Sequence, residues 1–453
     1  STRVRSSAAS DVYKRQLLSQ IRSKKARPFI EEEIRGHIED QIAENLKNGM
    51  SPDEARAAAV RDMGDPVQAG ISLDTVHKPQ TAWGLLAFVA LISGIGTFLQ
   101  MEISRQLGDG TSYMDGTQYV FFVMTGIVLM SIVQYVDYTR IAAYAKWIGA
   151  AILLVGGYAV LFGSMANGSL YYITIGSYHI SSPFLGFIYV PLYGAILYQY
   201  YGQGYRGLLK SLIWMLLPVV ILGRANSISM TFSFAICLSV VLTLAVAKGW
   251  FKVSKWKVLT ALWSVVLLLP ILGLFLLYKL QMLAPYQIMR LKAFATEGSE
   301  AGYVTAALRE SYQSLTWIGA MDQQAGAKLP DLNADYIFTY LWSEYGILAG
   351  ILLCCLLGIL LVLVFGAALH QKNELGFMMG CGCGTVFLTQ IGLNIMINLG
   401  LFPACATSLP FLSAGGGNIL LSYTLMGIVL SIYRYKNIYP RFFGRRAVSS
   451  LLR

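Results

Sequence analysis

Residues 346–369 read GILAGILLCCLLGILLVLVFGAAL, an apolar run without one charged side chain. A helix needs about 20 such residues to cross the hydrocarbon core of a bilayer, so this run is expected to span a membrane. Nine further runs read the same way, at 82–102, 118–136, 141–162, 183–201, 206–222, 228–247, 257–279, 376–399 and 413–433. The expected fold class is all-α: a polytopic membrane protein with ten transmembrane helices, preceded by a small cytosolic helical module. Composition agrees, because 55% of the 453 residues are hydrophobic and only 13% are charged, too few for several soluble domains.

The formal net charge of +11 does not point to nucleic acid, since the basic residues sit beside the spans instead of on a separate domain. Lys248, Lys252, Lys255 and Lys257 fill one connection, and Arg434, Lys436, Arg441, Arg445 and Arg446 follow the last span. By the positive-inside rule both regions are cytoplasmic, which with ten spans puts both termini inside and the long 280–345 connection outside. Arg140, Lys146 and Lys210, near predicted cytoplasmic span ends, are read as side chains that snorkel to the headgroups. Five of the six cysteines fall within spans, which gives no disulfide framework, and Cys381-Gly-Cys383 lacks zinc-site spacing.

Ahead of the spans, residues 1–16 have no apolar core of a signal peptide and are expected to be a non-native or disordered leader outside the fold. Residues 17–78 read as the helical module. Ile34, Ile38, Ile42 and Leu46 recur at helical spacing up to Gly49, and Ser51, Pro52 and Glu54 form a capping box for a helix that ends at Gly64. Asp65-Pro66 then opens another helix. With so few apolar residues the module is expected to dock on the membrane domain, on a copy of itself or on a partner. The membrane domain covers 82–435, and residues 436–453 form a basic tail.

Functional groups concentrate in two places. In the long connection, Leu329-Pro330-Asp331-Leu332-Asn333-Ala334-Asp335-Tyr336-Ile337-Phe338 sets two carboxylates just before an apolar span, where an acidic group is costly unless solvated or used. If 331–345 is helical, Asp331, Asp335 and Thr339 share one face, with Glu344 further along. The second cluster comprises Gln390 and Asn394 on a span, then Pro403, Pro410, Ser413 and Gly415-Gly416-Gly417-Asn418, where prolines and glycines suit a tightly folded external loop.

These motifs resemble the SEDS family (shape, elongation, division and sporulation), bacterial ten-span peptidoglycan glycosyltransferases. Leu329-Pro330-Asp331, Asp335-Tyr336-Ile337-Phe338 and Glu344-Tyr345-Gly346 are similar, in register, to the family's Leu-Pro-Glu, Thr-Asp-Phe-Ile-Phe and Glu-Leu-Gly. Gly400-Leu401-Phe402-Pro403, Leu409-Pro410-Phe411-Leu412-Ser413 with Gly415-Gly416, and Pro285-Tyr286-Gln287 with Arg290 also match. The N-terminal half departs: Ser181-Ser182-Pro183-Phe184 stands where Gln-Pro-Ser-Glu is usual, and Arg224-Ala225-Asn226-Ser227 where Gln-Pro-Asp-Leu is.

The resemblance implies polymerisation of lipid II at the outer face of the bacterial cytoplasmic membrane, in division, elongation or sporulation. Asp335 matches the catalytic aspartate, the expected general base. Arg290 and Lys292 are expected to clamp the pyrophosphate, with Gln287, Gln390, Asn394 and Ser413 lining the substrate cavity. Asp331, Glu344, Pro330, Pro410, Gly415 and Gly416 are expected to support the site, Asp331 and Glu344 reading equally well as catalytic groups. A divalent cation, magnesium or manganese, is a further neutraliser of leaving-group charge. The implied partner is a class B penicillin-binding protein. A lipid-linked sugar flippase and a non-catalytic scaffold for a transpeptidase are the alternatives.

Overall fold

The computed structural model describes residues 2–107, 114–166, 169–175, 178–225, 228–281, 288, 303–313, 315–320, 329, 331–403 and 405–440. The N-terminal module contains α1 (Thr2–Ser19), α2 (Arg27–Lys47), α3 (Pro52–Asp62) and α4 (Pro66–His77). The capping box forms as expected: Glu54 N donates to Ser51 Oγ at 3.4 Å and Ser51 N to Glu54 Oε2 at 3.2 Å. Asp65 caps α4 through Val67 N at 3.0 Å. The module's interior is small, with Leu17, Ile21, Ile30, Ile34 and Ile38 buried, while Leu46 of the expected stripe stays exposed.

The leader expected outside the fold is part of α1. Tyr13 and Leu17 are buried, and Tyr13 OH donates to Met63 O at 3.0 Å. Tyr13, Leu17 and Ile21 lie four apart and make one stripe across the boundary drawn at residue 16, so a polar composition hid an anchoring face.

The membrane domain opens with α5 (Trp83–Leu107), α6 (Gly116–Tyr135), α7 (Tyr138–Ala143) and α8 (Ala145–Phe162). After a small sheet it continues with α9 (Ser182–Tyr198), α10 (Tyr205–Ala225), α11 (Ile228–Ala247) and α12 (Lys255–Lys279). Two short helices follow, α13 (Tyr303–Gln313) and α14 (Ile337–Tyr345), and then α15 (Ile347–Leu369), α16 (Glu374–Asn398) and α17 (Gly416–Arg434). Eight of the described helices, α5, α6, α8, α11, α12 and α15 to α17, are long and apolar enough to cross a membrane. The chain is a multi-pass membrane protein.

Among the described residues the expected count of ten is not reached on length and composition. Among the described residues α9 contributes a shorter apolar stretch, Gly186–Tyr198. In the bundle α9 packs against α8, α10, α11, α16 and α17. Strands were not expected, yet β1 (Ser164–Ala166), β2 (Ser169–Ile175) and β3 (Tyr178–Ser181) form an antiparallel meander, with Tyr172 opposite Ser181 and Ile173 opposite Ile180. The run Leu170-Tyr171-Tyr172-Ile173-Thr174-Ile175 is aromatic and β-branched, which suits a strand.

The module docks at one end of the bundle. Lys25 Nζ lies 2.7 Å from Asp137 Oδ2, and Asp137 is only 3% exposed. Thr139 N and Oγ1 donate to Asp137 Oδ1 at 3.0 and 2.9 Å, and Tyr439 OH donates to Oδ2. His77 Nδ1 is 2.5 Å from Asn437 O, and Gln80 N donates to Arg434 O at 3.0 Å. At the same end Lys248 pairs with Glu374 at 2.7 Å. The 331–335 turn stands at the other ends of α5, α16 and α17.

Candidate functional site: a small cleft beside Asp335

The segment before α14 is a turn and not the helix expected over 331–345. Asp331 adopts φ 51°, a left-handed conformation that Asp tolerates, and its carbonyl accepts Ala334 N at 2.9 Å and Asp335 N at 3.0 Å. Regular helix begins at Ile337. The predicted shared face is lost: Asp331 is exposed, Asp335 half-buried and Thr339 fully buried. At the other end of α14, Gly346 (φ 89°) turns the chain into α15, where a Cβ would fall 2.7 Å from Trp317 O. Only glycine fits that close approach.

The turn that carries Asp335 is held from below by amides. Asn394 Nδ2 and Asn398 Nδ2 donate to Asp335 O at 3.0 and 3.1 Å. Asn398 Oδ1 accepts Thr339 N at 3.1 Å and Thr339 Oγ1 at 2.6 Å, so a single buried side chain ties the turn to α14. From the other side, Ser413 Oγ donates to Ala334 O at 2.6 Å and accepts Leu409 N at 2.8 Å. Gln100 Nε2 donates to Asn333 O and Leu412 O at 2.7 and 2.8 Å, which locks the 409–414 loop against the turn. The Asp335 carboxylate is left on the open side, where Oδ1 accepts Thr407 N at 3.3 Å.

Thr407 forms part of the wall of a small cleft, about 30 Å³ in inner volume, that opens to solvent. Ser229, Ser233, Thr389, Gln390, Ser408 and Asn418 supply its polar lining, and Phe187, Met230 and Leu393 an apolar side. The surface that faces the space is mostly apolar. Nearby, Tyr340 OH donates to Gln106 Oε1 at 3.2 Å, and burial pushes its pKa up, so it remains a proton-bearing donor.

Of the expected cavity residues, Gln390 lines the cleft. Asn394 and Ser413 do not: both are buried, and they hold the backbone of 334–335 instead. Sequence spacing gave their face but not their depth. Pro410 lies buried in the 409–413 turn, Gly415 caps α17 with φ 132°, and Gly416 packs against the Phe122 ring. Glu344 is half-buried at the far end of α14 beside Tyr340 and Tyr345, apart from the Asp335 turn. Gln287, Arg290, Lys292 and Pro330 lie outside the described residues. Asn398 and Thr407 were missed, although Gln390, Asn394 and Asn398 follow one another at four-residue spacing.

A bundle of long apolar helices with an anchored aspartate beside a small cleft defines an integral membrane protein. The family model described as a cell cycle protein, FtsW, RodA and SpoVE, matches residues 81–438. The chain belongs to this family. Among relatives, the FtsW of Borreliella burgdorferi, named a probable peptidoglycan glycosyltransferase, is 29% identical over 174 residues, 37% of this chain and 46% of that protein. The FtsW of Thioalkalivibrio sp. (strain K90mix), likewise named, is 24% identical over 373 residues, 78% of this chain and 90% of that one. A chain from a peptidoglycan synthase complex that coordinates polymerization and crosslinking shares the fold, with a TM-score of 0.62 at 20% identity over 78% of this chain and 98% of that one.

Proposed function

We propose that this chain is a peptidoglycan glycosyltransferase that polymerises lipid II, with Asp335 as general base. The supporting observation is the anchoring of the Asp335 turn by Asn394, Asn398 and Ser413 beside a small cleft. A sugar hydroxyl of one lipid II attacks the anomeric carbon of another, its proton passes to the Asp335 carboxylate, and undecaprenyl pyrophosphate leaves. A carboxylate so placed contributes roughly 10²–10⁴-fold in rate. Arg290 and Lys292 would clamp the leaving pyrophosphate, since cationic donors suit phosphate oxygens. A divalent cation, magnesium or manganese, is the proposed further neutraliser of the leaving-group charge. The Asp335 face is taken as external and both termini as cytoplasmic, following the positive-inside rule. A class B penicillin-binding protein is the proposed partner that cross-links the product.

The test uses the purified full chain in vesicles supplied with labelled lipid II, with and without the transpeptidase. A glycosyltransferase converts lipid II to glycan strands. A flippase moves label across the bilayer and makes none, and a scaffold does neither, so either result without polymer overturns the proposal.

A further inference from the structure

No aspartate or glutamate occurs between Asp137 and Glu297, a stretch that carries twelve lysines and arginines. At the end of the bundle where the module docks, the buried acids of the membrane domain are already engaged, Asp137 by Lys25 and Glu374 by Lys248. Lys146, Arg206, Lys210 and Lys252 have no ion-pair partner among the described residues. These four cations border one seam. Lys146 Nζ lies over the Tyr200 ring, 4.4 Å from its centroid, and Tyr200 OH accepts Trp214 Nε1 at 3.1 Å. Trp214 packs on Gly149, where a Cβ would come 3.8 Å from its ring. Helices α8 and α10 both start at this end, and Lys146 precedes Gly149 by three residues as Lys210 precedes Trp214 by four. At about 1.5 Å per residue the two lysines stand at nearly the same depth on adjacent helices, and Arg206, one turn earlier on the same face of α10, is next outward. Lys252 joins them from the turn after α11, where its N donates to Gln203 O at 2.9 Å.

We propose that this seam between α8 and α10 binds the phosphate of an anionic phospholipid. Clustered like charges repel one another until a counter-charge joins them, and the described residues supply none here. Lys146 was expected to snorkel outward, yet it is held on the Tyr200 ring. An ammonium has three donors, and the ring covers one side of it, so the other side faces the seam with donors for phosphate oxygens. Exposed Trp147 and Trp256 flank the cations, and tryptophan concentrates at the headgroup level of a membrane. Beyond the cations the exposed surface turns apolar: Ile213 and Leu217 continue the face of Lys210 along α10, and Leu154 lies further along α8. A phospholipid meets both parts of this surface, its phosphate at Lys146 and Lys210 and its acyl chains on Ile213, Leu217 and Leu154. A soluble phosphate meets only the first part. Basic pockets between spans bind anionic headgroups in this way. The site stands at the opposite end of the bundle from Asp335 and is independent of the proposed chemistry there.

The experiment titrates the purified full chain with phosphatidylglycerol and phosphatidylcholine of matched acyl chains and counts bound lipid by native mass spectrometry. Each basic residue near an anionic surface is worth roughly fivefold in binding, so wild type is expected to prefer phosphatidylglycerol by ~5–25-fold. Lys146→Met combined with Lys210→Met should cut that preference about fivefold or more. Lys146→Arg combined with Lys210→Arg keeps both charges and should keep the preference, which separates lost charge from altered packing. Lys210→Met alone, at an exposed position, should lower it roughly twofold to fivefold. The control is Lys279→Met: Lys279 also lies over a ring, 5.8 Å from the Phe275 centroid, but at the opposite end of α12, and its loss should leave the preference unchanged. No preference in wild type, an unchanged preference in the methionine variants, or an equal loss in Lys279→Met would each overturn the inference. Displacement of the bound lipid by an equal concentration of soluble glycerol 3-phosphate would overturn it as well, since the acyl chains would then contribute nothing.

Discussion

At the residue scale, the site depends on one amide. Asn398 satisfies Asp335 O and both donors of Thr339, and its own carbonyl accepts Tyr312 OH. Removing it leaves buried groups unpaired, each costing roughly 1–3 kcal/mol. Asn398→Ala is therefore expected to lower stability by about that amount and kcat by about tenfold or more, with KM little changed, because it displaces the base and not the cleft. Steady-state kinetics beside thermal unfolding in detergent would check this, and a change confined to KM would contradict it. Asp335 and Gln390 were legible in the sequence because a charge and an amide stand out against apolar surroundings. Asn394 and Ser413 were placed on the right face but at the wrong depth, since spacing carries no information on which groups a loop will cover. Asn398 continued the same spacing and went unread.

At the element scale, what the sequence hid is what depends on contacts between distant segments. The spans were legible from apolar length, and the start of α3 from its capping box. The place of α1 in the module was not, because its stripe of Tyr13, Leu17 and Ile21 acquires meaning only once α3 and α4 are packed against it. Nor was the docking contact visible: Lys25 and Asp137 are 112 residues apart. Losing the cation from a buried carboxylate is costly, although Lys25 is itself partly exposed, so Lys25→Met is expected to destabilise docking by roughly 1–3 kcal/mol. Hydrogen exchange should then rise in α2 and α4 but not in α16. Unchanged exchange in the module would show that the ion pair does not hold it.

At the scale of the whole molecule, the bundle has two chemically distinct ends. One gathers the module, Lys248 with Glu374, and the 434–439 segment, and the other gathers Asp335, the cleft and the loop before α17. Both the N-terminal module and the segment after α17 lie at the first end, as an even number of crossings requires. If that end is cytoplasmic, Trp317→Cys, at an exposed position next to α15, should react with a membrane-impermeant maleimide on intact cells, against the parental background. Lys47→Cys should react only after permeabilisation. The reverse pattern would place the site on the inner face and remove its access to the cell wall.

The central claim, that Asp335 is the base of a glycan polymerase, is tested most directly by one comparison. Purified wild type and Asp335→Asn are given lipid II, each with and without a class B penicillin-binding protein, and glycan strands are resolved by length. Wild type is expected to make strands, and Asp335→Asn to lose roughly 10²-fold or more of that rate while keeping its fold. An Asp335→Asn protein that polymerises lipid II at the parental rate would contradict the claim.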